Sequence, residues 1–238
     1  MRRPNVASRY LLPHGLRRAL GGLSSELKLL VRVWLNLLLP LRLLRYLRLT
    51  RQTGIRLHLG CGSNRFPEWV NVDMGRKGDL TVDLREGLPF RDDSVEAIFT
   101  EHALEHFYRE HDLPLLLGEA LRVLRPGGRL RVAVPDGAVA LRYYHGSLEP
   151  PERAERFGQL HRRFHGTPMD VVNSAFRWKH QHLYMYDEET LGALLREVGF
   201  VAVEARAFRD SPDPALREVD NEERAFETLY MEGVAPGA

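Results

Sequence analysis

Between residues 55 and 134, short apolar runs that close on an acid or a glycine alternate with stretches of helical character, which restricts this part of the chain to a parallel sheet with helices packed on it. Strands are expected at 56–59, 70–73, 80–84, 95–100 and 129–134, and helices at 103–110 and 112–124. Arg125-Pro126-Gly127-Gly128 stops the second helix and turns the chain into the next strand. A further helix is expected at 188–198, with Asp187 as N-cap and Gly199 at its end, and strands at 202–208 and 227–234 complete the sheet.

The N-terminal part reads differently. Residues 1–51 hold ten Arg, one Lys and a single acid, Glu26, so a chain with net charge +2 divides into a strongly basic leader and an acidic body. Within the leader, 24–50 is rich in leucine, but its longest uncharged run, 33–41, is nine residues and contains Pro40. A bilayer crossing needs roughly twenty. Lys28, Arg32 and Asn36 step by four, and Arg42, Arg45 and Arg48 by three, so each half presents a polar stripe on an apolar helix. Such a helix lies on an anionic membrane surface, or packs on its own domain or on a second copy of the chain. Neither Arg2-Arg3 nor Arg17-Arg18 is followed promptly by an apolar core and a small-residue cleavage site, so no export signal is expected. The expected location is cytoplasmic and peripheral at the membrane. The single cysteine excludes an intrachain disulfide scaffold, and 44% hydrophobic residues exclude disorder.

In an open α/β sheet, ligands bind beyond the carboxyl ends of the strands. Here those ends carry Gly60-Cys61-Gly62, Asp73, Asp83, Thr100-Glu101-His102 and Pro135-Asp136. Glycines let the backbone approach a ligand. Asp73 is suited to accept from both ribose hydroxyls and Asp83 from an exocyclic amine, which together describe a nucleoside site. A dinucleotide fingerprint is not met: its third glycine position is Arg65, and the acid follows Gly62 by eleven residues where about twenty are wanted.

The segments LHLGCGSNRFPEWVNVD (57–73), DLREGLPFRDDSVEAIFTEHALEHF (83–107), EALRVLRPGGRLRVAVPD (119–136) and LYMYDEETLGALLREVGF (183–200) resemble the class I S-adenosylmethionine-dependent methyltransferases, in particular the small bacterial type 11-like group. The resemblance spans about residues 55–234. It implies a Rossmann-like, doubly wound, mostly parallel seven-stranded α/β sheet with an antiparallel last strand, at 54–238, preceded by a basic helical extension at 1–53. It also implies S-adenosylmethionine as cofactor, with S-adenosylhomocysteine as product. Gly60, Cys61 and Gly62 would then line the methionine part, Asp73 with Met74 the ribose, Asp83 with Leu84 the adenine, and Glu101 and His102 the methionine amine. Between Gly62 and Asp73 the usual helix is shortened to a loop containing Pro67 and Trp69. The segment 137–182 is an insertion expected to act as a lid on the acceptor side, and Phe157, Phe164 and Phe176 are expected in its core.

Methyl transfer from a sulfonium needs positioning and removal of one proton, so little machinery is required. For a hydroxyl acceptor His106 and His182 are the candidate bases and Tyr186 an orienting group. The acceptor is expected to be a small molecule, such as a sugar or lipid-linked intermediate of surface polysaccharide. The same residues admit other readings. His102-Ala103-Leu104-Glu105-His106 fits H-x-x-E-H, a zinc hydrolase pattern on a helix, yet no resident metal is expected because the methyltransferase pattern already accounts for these residues. Cys61 as an activated nucleophile is weaker than Cys61 as a small packing residue, and the His180-Gln181-His182 alternation is a poor metal site. A non-catalytic binding module on a methyltransferase fold is a further alternative. Nucleic acid is disfavoured as a partner because the leader lacks stacking aromatics and the body is acidic.

Overall fold

The computed structural model describes residues 14–75 and 77–237; Arg2-Arg3 lies outside the described residues, as do the side chains of Arg17, Arg18 and Asn36. The described part begins with helices α1 (His14–Leu38) and α2 (Pro40–Thr50), separated where Pro40 forbids continuation and starts the second helix instead. The sheet follows with β1 (Ile55–Leu59), β2 (Val70–Asp73), β3 (Leu80–Thr81), β4 (Val95–Glu101) and β5 (Leu124–Pro135), helix α3 (Asp112–Val123) joining the last two. Helices α4 (Gly137–Tyr144), α5 (Pro151–His161) and α6 (Pro168–Arg177) form the insertion. The chain ends with α7 (Glu188–Val198), β6 (Val201–Arg206), the short α8 (Pro214–Arg217) and β7 (Thr228–Val234).

The strands lie in the order β3-β2-β1-β4-β5-β7-β6. All are parallel except β7, which runs antiparallel between β5 and β6. This is the expected Rossmann-like sheet with its antiparallel last strand. β4 is buried almost throughout, as a central parallel strand must be. In β5 the ladder to β4 skips from Leu124 to Arg129, so Arg125-Pro126-Gly127-Gly128 bulges out of that pairing while Gly127 and Gly128 bond Ala235 on the other side, with Gly127 at φ +77° where a side chain would be strained. Asp187 caps α7 through Thr190 N–H and Gly199 closes it at φ +116°.

One face is covered by α3, α7 and the two N-terminal helices, whose Tyr46 and Leu49 join the main core. On the other face the β1–β2 connection contains no helix. Phe66 and Trp69 fill that space with Leu216 and Val219 from the 207–220 segment. A buried arginine pins that segment down. Arg131 on β5 donates to Asp220 (2.8 and 2.6 Å), to Glu232 (2.8 Å) and to the carbonyls of Ala207 and Asp210, and its guanidinium lies 4.9 Å from the Tyr230 ring centre.

Three expectations are corrected. The strand at 80–84 is confined to Leu80–Thr81, because Asp83 turns out of the ladder. The helix at 103–110 is one 3-10 turn, Leu104–His106. Its continuation is blocked because the Glu105 carbonyl accepts Leu183 N–H (2.7 Å), while Tyr108 N–H is taken by the Asp112 carboxylate that begins α3. Phe164 is 95% exposed in the turn between α5 and α6, where its φ is +49°; Phe157 lies in the insertion core with Val139, Leu148 and Val171, and Phe176 packs on it.

Candidate functional site

Gly60 follows β1 at φ +70°, and a Cβ there would meet the Ala103 Cβ at 2.6 Å, so the β1 loop and the β4 loop touch. Gly62, at φ +51°, faces open space. The Asp73 carboxylate accepts Gly62 N–H (2.9 Å) and Gly75 N–H (2.5 Å), which aims it across the loop and leaves each oxygen a further lone pair. Met74 packs at the edge of the core beside it. Cys61 is buried, and burial first, then Asp73, pushes its thiol up to about 11, so it fills space as a neutral group. Glu101, at the end of β4, has a buried Oε1 with no hydrogen-bond partner, and burial pushes its carboxyl up to about 7. Such an orphaned acceptor is what a ligand ammonium would satisfy.

Asp83 departs from expectation. Its carboxylate is held by Arg85, Nε to Oδ1 at 2.9 Å and Nη2 to Oδ2 at 2.7 Å, and the same guanidinium reaches both oxygens of Glu26 on α1 (3.1 and 2.8 Å). The acceptor expected for an exocyclic amine is thus engaged by the neighbouring cation, which ties the N-terminal helix to this corner. Leu84 is buried beside it. A cleft of about 840 Å³ opens between α1 and the 81–89 segment, with Asp83 and Arg85 on its wall.

A second cavity, of about 270 Å³, is lined by Glu101, His102, Glu105, His106, Trp178, His182, Asn221 and Arg224. It gathers His106 and His182, whose ring centres are 5.1 Å apart. His182 arrives there because Trp178, Lys179 and His180 pass through left-handed backbone after α6 and turn the chain inward; His180 itself stays exposed. Burial drives the His102 imidazole down to about 3 and that of His182 to about 4, and the fully buried Glu105 carboxyl up to about 8. Tyr186 does not line this cavity. Its ring sits in the main core and its backbone bridges to Asp136, so it holds the insertion to the sheet. Glu105 is the residue that the expected site set lacks.

Residues 57–132 match the family described as Methyltransferase domain. The matched stretch runs from β1 into β5, the part of the sheet whose strand ends carry the residues described above. Among solved structures it is similar to a SAM dependent methyltransferase from Archaeoglobus fulgidus, at 16% identity, 83% of this chain, 93% of that chain and TM-score 0.48. It is also similar to an S-adenosylmethionine dependent methyltransferase from Mesorhizobium loti (17%, 77% and 91%, 0.46). A third is the Burkholderia thailandensis 1,6-didemethyltoxoflavin-N1-methyltransferase (14%, 99% and 93%, 0.46). No curated protein matches the sequence. Asp73, with a lone pair free on each oxygen, and the orphaned Glu101 Oε1 are acceptors of the kind that the hydroxyls and ammonium of S-adenosylmethionine require, whereas Asp83 is engaged by Arg85; neither Asp73 nor Glu101 lines the cleft beside α1.

Proposed function

We propose that the chain transfers the methyl group of S-adenosylmethionine to a small-molecule acceptor held between the β4 loop and the insertion. The observation that carries this reading is the convergence, at the carboxyl ends of β1, β2 and β4, of an open glycine loop, the aimed Asp73 carboxylate and the orphaned Glu101 oxygen. The bound cofactor supplies a methyl group on a sulfonium leaving group. Asp73 holds the ribose hydroxyls, Glu101 the ammonium, and Gly62 leaves room for the backbone to approach. The insertion, α4 to α6, closes the acceptor side through Trp178 and His182.

The acceptor is presented at an anionic membrane surface, as for a lipid-linked sugar. Leu27, Leu30, Trp34, Leu38, Leu41 and Leu44 on α1 and α2 are exposed, Leu41 by 83%, beside Lys28, Arg42 and Arg48. Exposed apolar side chains next to basic ones suit a helix lying in the headgroup layer. No helix among the described residues is long and apolar enough to cross a membrane. Two assays test the reading together. Cell extract fractions incubated with the protein and methyl-labelled S-adenosylmethionine should incorporate label into the lipid-extractable fraction. The full chain should also float with anionic vesicles, and Leu41→Glu with Trp34→Glu should sink. Label confined to water-soluble products, with equal flotation of the variant, refutes the membrane part.

A further inference from the structure

We infer that Glu105, His106 and His182 form a binding site for a late first-row divalent cation, and that its open coordination positions take the acceptor oxygen. The second part rests on the methyltransferase reading; the first does not. The hydrogen bonds fix which nitrogen of each ring is free. His182 Nδ1 lies 2.9 Å from the Ala175 carbonyl oxygen and His106 Nδ1 lies 3.1 Å from that of Gln181. A carbonyl only accepts, so both Nδ1 atoms carry the proton and both Nε2 atoms present a lone pair. Those lone pairs face one atom, Glu105 Oε1, at 3.7 Å from His182 and 4.0 Å from His106.

Glu105 is fully buried, and neither of its carboxylate oxygens has a hydrogen-bond partner. A third ring completes the surroundings. The Thr228 hydroxyl donates to the Arg224 carbonyl (2.8 Å), so it accepts from His102 Nε2 (3.0 Å), and His102 Nδ1 is left unprotonated 3.6 Å from the same Glu105 oxygen. Acceptors thus converge on a buried carboxylate with no donor among them. In a low-dielectric interior such a group must be neutralised, by a proton or by a cation that displaces it.

The donor set selects the ion. Two imidazole nitrogens and a carboxylate suit zinc, cobalt and their neighbours, whereas magnesium prefers oxygen ligands and retained water. Ligand atoms around tetrahedral zinc stand ~3.3 Å apart. The three atoms here lie within 4.8 Å of one another, so a small inward rotation of the rings closes the site. Each histidine already donates its far nitrogen to a backbone carbonyl, the outer-shell arrangement that orients metal ligands. Three protein ligands, with cavity on the remaining side, is the count of a catalytic site rather than a structural one.

The site stands where the chemistry needs it, since Ala103, in the same turn, touches Gly60 of the cofactor loop. An acceptor hydroxyl bound to the cation releases its proton to solvent more readily. The oxygen then attacks the sulfonium methyl carbon; the O–C bond forms as the C–S bond breaks, and that bond's electron pair stays on sulfur. The products are a methyl ether and a neutral thioether. The H-x-x-E-H pattern therefore marks a metal site, against the expectation of none, but one assembled on a 3-10 turn with its third ligand from the insertion.

The experiment uses the full chain, stripped with a chelator and titrated with Co2+, following visible ligand-field absorption and equilibrium metal content. S-adenosylhomocysteine binding is measured in parallel by calorimetry. The expected result is one Co2+ per chain in a low-symmetry site. Binding should weaken at least about tenfold in Glu105→Gln and in His106→Asn, the latter at a partly exposed position, while S-adenosylhomocysteine affinity changes less than about threefold. No Co2+ uptake, or equal uptake in wild type and both variants, overturns the site while leaving the cofactor reading intact. Co2+ uptake lost in the variants, with no S-adenosylhomocysteine binding by wild type, upholds the metal site and overturns the proposal that it serves methyl transfer.

Discussion

Replacing Arg131 with Met should unfold the protein far more readily than its place outside the cleft suggests. The guanidinium, with Asp220 and Glu232 as partners, is fully buried. Met matches most of the aliphatic stem but removes all five donors, leaving buried Asp220 with only the Arg209 N–H, buried Glu232 with only its longer contacts to Arg129 (3.6 Å) and Arg206 (3.8 Å), and the carbonyls of Ala207 and Asp210 short of a donor. Removing one member of such a cluster costs about 3–5 kcal/mol, because the stranded charges dominate. In a domain of this size each kcal/mol shifts Tm by about 2–4 °C, so the variant should melt at least about 6 °C lower. Chemical denaturation with intrinsic fluorescence gives the free energy directly, and Trp69, beneath the pinned 207–220 segment, reports the same event. The triple variant Arg131→Met, Asp220→Asn, Glu232→Leu should recover part of the loss by removing the stranded charges. A loss below about 1 kcal/mol for Arg131→Met alone would show that the 207–220 segment is held by Leu216 and Val219 rather than by this cluster.

Burial holds the His58 imidazole down at about 4 against an ordinary 6.5. The unfolded chain protonates first as pH falls, so the contribution is full above pH 6.5 and is lost towards pH 4; between pH 7 and 5 wild type should lose about 2 kcal/mol through this group, and His58→Gln should show a flatter urea-stability profile. An equal slope in both proteins would refute the assignment. Arg85→Gln should raise the rate of limited proteolysis within 14–50 by no more than about fivefold, since one largely exposed ion pair to Glu26 is worth up to ~1 kcal/mol and leucine packing does the rest. Cleavage as fast as in denatured protein would reverse that apportionment.

Much of the sheet was legible because its strands are buried runs that end on chemically conspicuous residues. Asp73 and the glycines at 60 and 62 could be placed at strand ends from the text alone, and α7 with its Asp187 cap and Gly199 stop has the residue types its ends require. Local spacing failed where distant groups decide. The 103–110 segment carries helix-forming residues, but the Glu105 carbonyl is taken by Leu183 N–H, which no nearby residue reveals. Asp83 was readable as an acceptor, while Glu26, which steadies Arg85 against it, comes from the other end of the chain. Glu105 and His106 lie within one motif, but the partner ring, His182, is brought in by the left-handed run at 178–180, a conformation that these residue types do not announce. Phe164 looks like a core residue by type and is a turn residue by position.

Calorimetric titration of the full chain with S-adenosylhomocysteine, beside Asp73→Ala, tests the nucleoside site most directly. Wild type should bind near one equivalent. Asp73→Ala should weaken binding about thirtyfold or more, since hydrogen bonds to a charged carboxylate are worth ~1.5–3 kcal/mol each. Folded wild-type protein that binds nothing, or an Asp73→Ala variant that binds as wild type does, would contradict the account.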